Sequence, residues 1–76
     1  MIAVEVHDNG SIWLNGSETT MNALRSYAAG IREVDKTRVM LAVDPDVVLQ
    51  SAVDIMDLFN HYNIFNISLA AARRFE

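Results

Sequence analysis

Cysteine is missing altogether from this chain of 76 residues, proline occurs once and glycine three times. Without cysteine there is no disulfide framework, thiol nucleophile or thiolate metal site, and the chain carries no mark of an oxidising or a reducing compartment. With so little proline and glycine and 51% of residues hydrophobic, the composition belongs to a packed domain and not to a linker or disordered tail. Basic residues are scarce as well: six against ten acidic ones leave a formal net charge of -4, and the densest basic spot is Arg73-Arg74. Such a surface repels phosphates, which speaks against nucleic-acid binding. No apolar run approaches the roughly 18 residues of a membrane span, and the N-terminus lacks the zones of a secretory signal. The catalytic motifs are equally absent: no G-x-S-x-G, no phosphate-binding glycine loop and no H-E-x-x-H. His7 and His61 fall on different elements, where both are expected to face solvent.

What is present is alternation and helical repeat. Ile2, Val4 and Val6 alternate with Ala3, Glu5 and His7 as in a half-buried strand, and Ile12 and Leu14 repeat the pattern after the turn Asp8-Asn9-Gly10, where Gly10 can supply a positive φ. Thr20 suits an N-cap. Met21, Leu24, Tyr27, Ala28, Ile31 and Val34 then recur on one helical face, with Gly30 inside that helix. Val39 to Val43 is an apolar run fit for a buried strand, Asp44-Pro45-Asp46 breaks it, a helical repeat runs from Val48 to Tyr62, and Phe65, Ile67 and Leu69 alternate as a last strand.

These segments predict a single domain, residues 1–76, of order ββαβαβ: an α/β (α+β) two-layer sandwich with a four-stranded mixed sheet and both helices on one face. Two right-handed crossovers on the same side carry the chain steadily across the sheet. They leave the last strand, Ile64 to Ala70, at an edge.

The second helix, projected at the helical angle, gathers Val48, Ala52, Ile55, Met56, Phe59 and Tyr62 as a core stripe and turns Gln50, Asp54, Asp57 and His61 outward. Asp54, Asp57 and His61 could bind a metal or ligand. No other element supplies further ligands, so a solvated face with an Asp57–His61 pair four apart is the simpler reading. Asp44 and Asp46 stand before a helix N-terminus, where carboxylates cap free N–H groups. Trp13 faces away from Ile12 and Leu14, beside Glu5, His7, Met40 and Ala42, on a sheet face that nothing is expected to cover, and a large aromatic there suits a partner contact.

The stretch from Arg38 to Leu69 resembles the periplasmic domain of the ExbD/TolR family, accessory subunits of proton-driven motors in bacterial inner membranes. Asp44, Asp46, Val47, Ile55, Met56, Asp57, Ile67, Ser68 and Leu69 fall on the family's D-x-D-V-P-Y, V-M-D-x-L and V-S-L positions or on close equivalents. Upstream, Asp8-Asn9-Gly10 with Ile12-Trp13-Leu14-Asn15-Gly16 is similar to its D-x-G and I-Y-L-N-G segments, and Thr20 to Leu24 to its capped helix start. Val48 and Leu49 replace the usual Pro-Tyr, and Asn63 replaces a Gly. The last exchange is mild, because Asn follows Gly in tolerance for the left-handed conformation.

The resemblance implies a non-enzymatic periplasmic domain, cut from a longer inner-membrane protein whose N-terminal helix carries the proton-accepting aspartate. It implies a homodimer working beside an ExbB/TolQ-like channel and coupling the proton motive force to a TonB/TolA-like transducer. No cofactor is implied. The predicted partner-contacting residues are Ile64, Asn66, Ser68 and Ala70 on the last strand, with Ala70 to Phe75 shaping its geometry, and Trp13 on the open face. A small metal- or ligand-binding domain, or a soluble scaffold module, is the alternative.

Overall fold

The computed structural model describes residues 1–46 and 49–71, and at Leu49 the backbone alone. It is an α+β fold of two helices and a mixed sheet, running β1 (Ile2–Val6), β2 (Ile12–Leu14), β3 (Ser17–Thr19), α1 (Met21–Ala29), a 3-10 turn (Val34–Lys36), β4 (Val39–Val43), α2 (Leu49–His61) and β5 (Ile67–Ala71). The strand order is β3-β2-β1-β4-β5. β1 pairs antiparallel with β2 and parallel with β4, β2 pairs antiparallel with β3, and β4 pairs parallel with β5.

The sheet therefore has five strands where four were expected. The fifth is Ser17–Thr19, folded back on β2 by the two-residue loop Asn15-Gly16, whose φ values of 50 and 87 are the left-handed pair that twists with a hairpin. Asn15 also ties the loop to β1: its side-chain oxygen accepts from Ala3 N at 2.9 Å and its N–H donates to Ala3 O at 2.7 Å. The first turn behaves as expected, with Gly10 at φ 84.

One core holds the layers together. Ile2, Val4 and Val6 of β1 and Val39, Leu41 and Val43 of β4 are buried against Leu24 and Ala28 of α1 and Ala52, Ile55, Leu58 and Phe59 of α2. Both helices thus cover the same face of the sheet. Met56 and Tyr62 of the expected stripe are only half-buried, Leu58 takes a full place in the core, and Val48 lies outside the described residues.

α1 is shorter than its repeat suggested. Thr20 caps it by accepting from Ala23 N at 3.1 Å, but the helix closes at Gly30, so Ile31 and Val34 reach the core from irregular backbone and Tyr27 is left exposed. Glycine has the weakest hold on helical backbone among residues that can form it.

α2 ends in a Schellman arrangement. Asn63, at φ 64, donates to Asn60 O, and Ile64 N reaches back to Phe59 O, both at 3.0 Å. Asn63 thus occupies the left-handed position expected of it. The same geometry corrects the last strand: Ile64 is the buried hydrophobic residue that follows the cap, packed in Phe59's core, and Phe65 is an exposed linker residue, so pairing starts at Ile67.

Candidate functional site

Among the described residues the sheet ends in β3 on one side and β5 on the other, and β5 is the apolar one of these two edges. Its phase follows from one hydrogen bond: Val39 N donates to Asn66 O at 2.9 Å, while Val39 is in register with Ile67. In a parallel ladder that phase turns both backbone groups of Ser68 and Ala70 toward β4, and those of Ile67, Leu69 and Ala71 outward. Ile67 N spends its outward N–H on Phe65 O at 3.0 Å, which leaves the N–H and C=O of Leu69 at the middle of the edge.

Side chains divide the other way. Ile67 and Leu69 share the helix side with Val39 and Leu41, yet Leu69 is 54% exposed. It lines an open groove of about 430 Å³ with Val43, Asp44, Pro45, Ala52, Ala70 and Ala71. Ser68 and Ala70 share the other face with Met40 and Ala42.

Of the predicted partner residues, Ile64 is excluded by complete burial, and Asn66 contributes its backbone oxygen to β4. Ser68 and Ala70 belong to the open face, not to the edge itself. The edge residue that sequence reading left out of the partner contacts is Leu69: it was placed in the apolar alternation of the last strand, and that alternation does not tell that its side chain stays exposed. Residues 72–76, including Phe75, lie outside the described residues.

Trp13 does stand on the face opposite the helices. Register places Glu18, Trp13, Glu5, Ala42 and Ala70 in one row across all five strands. The indole stacks on the His7 ring, with centroids 5.0 Å apart and planes 10° from parallel. Its Nε1 donates to Ser11 Oγ at 3.0 Å, Ser11 Oγ donates to Asn9 Oδ1 at 2.7 Å, and the same oxygen accepts from Ser11 N at 2.9 Å. The turn thus fixes the indole. His7 is correspondingly not a solvent residue: its side chain is 16% exposed and its Nε2 lies 3.3 Å from Glu5 Oε1.

Asp54, Asp57 and His61 are exposed, as expected of the outer face of α2, and line a groove of about 500 Å³ with Met21, Arg25, Leu58 and Tyr62. The expected Asp57–His61 pair does not form. Asp54 accepts from Gln50 Nε2 at 2.8 Å, and the His61 ring meets Tyr62 edge-on at 5.0 Å. Among the described residues no three His, Asp or Glu side chains converge enough to hold a metal ion. Asp44 is 7% exposed and accepts from Asp46 N at 2.9 Å, closing a turn of its own; the expected cap of the α2 N-terminus falls at residues 47 and 48, outside the described residues.

Among the described residues no helix is long and apolar enough to cross a membrane. No protein-family model matches the chain, and no curated protein matches it.

Proposed function

We propose that this chain is a non-enzymatic interaction domain that acts by strand addition, in the role of the periplasmic part of an ExbD/TolR-like subunit coupling the inner-membrane proton motive force to TonB-dependent or Tol-Pal transport. The observation that carries the reading is the β5 edge. Leu69 offers an outward N–H and C=O, and its exposed side chain borders an apolar groove in which an added strand can seat alternate side chains. The occupant is an extended segment of a TonB/TolA-like transducer or β5 of a second copy. The motif matches from Asp44 to Leu69 and the left-handed Asn63 at the family's usual glycine support the family reading.

Leu69→Pro tests it, because proline removes an outward donor that no strand among the described residues uses. Ser68→Pro would be the wrong variant, since that N–H turns into the β4 ladder. The expected result is a folded Leu69→Pro protein that has lost binding to a transducer-derived peptide in calorimetry and any self-association in sedimentation. Unchanged binding and unchanged self-association in a variant with wild-type circular dichroism would remove the edge as the recognition surface.

A further inference from the structure

The sheet face opposite the helices carries a second surface whose chemistry differs from that of the β5 edge. One half of it is a floor of small or flexible side chains: Ala3, Met40, Ala42, Ser68 and Ala70. On the other half the stacked Trp13 and His7 rings rise beside the floor. Glu5 and Glu18 lie in register on either side of Trp13, so their backbones bracket the indole across two strand spacings, about 10 Å. Glu5 is engaged with His7, whereas the Glu18 carboxylate has no partner among the described residues. The described lysine and arginine side chains belong to α1 and the segments between it and β4, and none is contributed by the strands themselves.

An immobilised indole whose cross-strand neighbours on both sides are glutamates is a setting for a cation: the ring quadrupole attracts positive charge and each carboxylate adds a charge-assisted acceptor. We propose that this face docks a basic segment of a partner polypeptide, with an arginine or lysine side chain held at Trp13 between Glu5 and Glu18. Arginine fits better, because a planar guanidinium can stack on the indole while donating to both sides. Charge selects the occupant. A second copy applied by the same face brings a second pair of the same carboxylates to this pair, and the net charge of -4 repels anionic surfaces generally. The hydrogen bonds from Asn9 through Ser11 to the indole hold the platform in place before binding, so little ordering is required on docking.

Trp13 is the chain's single tryptophan and reports on its own site. A short blocked peptide alternating serine and arginine should change its emission saturably at low salt, and the matching serine–glutamate peptide should not. Glu5→Gln with Glu18→Gln should weaken the affinity about tenfold. Glu33→Gln with Asp35→Asn, which removes the same charge at the 3-10 turn, should leave it within about twofold. Trp13→Leu, checked for folding by circular dichroism, should abolish the calorimetric signal. The proposal is overturned by an unchanged Trp13 emission, by equal weakening in the two charge-neutralised pairs, or by sedimentation showing a dimer that Trp13→Leu dissociates. Because the readout is Trp13 itself and uses neither the outward backbone groups of Leu69 nor a transducer peptide, it stands or falls separately from the edge.

Discussion

Phe59 and Asp57 sit two residues apart on α2 and have opposite surroundings. Phe59 is completely buried among both layers, while Asp57 is exposed and makes no ion pair with His61. Truncating Phe59 to Ala removes a ring from a close-packed core and should cost about 3 to 5 kcal/mol, a large part of the stability of so small a domain. Asp57→Ala should cost under about 1 kcal/mol. Urea denaturation of the two variants checks both, and equal midpoints would mean the helix faces are misassigned. A third residue separates conformation from packing. Asn63 is exposed at φ 64, so Asn63→Gly should be neutral or slightly stabilising, whereas Asn63→Ala should cost about 1 kcal/mol through the left-handed backbone alone. These roles were readable in sequence because helical spacing places Phe59, and the family resemblance sets Asn63 where a helix-closing glycine is usual. The stack of His7 on Trp13 was not readable: it joins diagonal neighbours on paired strands, and only the register brings them together.

At the level of elements, periodicity identified the two helices and four of the strands, and missed what periodicity cannot carry. Ser17-Glu18-Thr19 is too short and too polar to alternate visibly. The signal for it was the Asn15-Gly16 pair after Ile12-Trp13-Leu14, a strong two-residue hairpin signature. At Gly30 the apolar repeat ran on through Ile31 and Val34, but a shared hydrophobic face can be reached from irregular backbone, so spacing alone overextended α1. The strand order in turn ranks the elements by protection. β1 and β4 are paired on both sides and buried on the helix face, whereas among the described residues β3 and β5 are paired on one side only. Native-state hydrogen exchange should therefore be slowest for Val4, Val6 and Leu41 and fastest among the strands for β3. A β3 as protected as β1 would show that something covers that edge in solution.

Taken as a whole, the molecule places all its buried apolar side chains among the described residues on one side of the sheet and its single tryptophan on the other. Two-layer domains with one core have nothing for a separate part to fold around, which predicts a single cooperative transition. Trp13 makes this a demanding test. It is held by the β1–β2 hairpin, by His7 and by the Asn9–Ser11 turn, none of which is a core contact. The hairpin can stay formed only while β1 is paired with β4 and backed by α1 and α2, because an isolated two-stranded ribbon is marginal in water. Trp13 emission and the helical circular dichroism band should therefore lose their native values at the same urea concentration, and Phe59→Ala, on the opposite face, should move both midpoints together. If the Trp13 signal persists after the helices melt, the β1–β2–β3 unit is stable without the core, and the open face is a folding unit of its own as well as a binding surface.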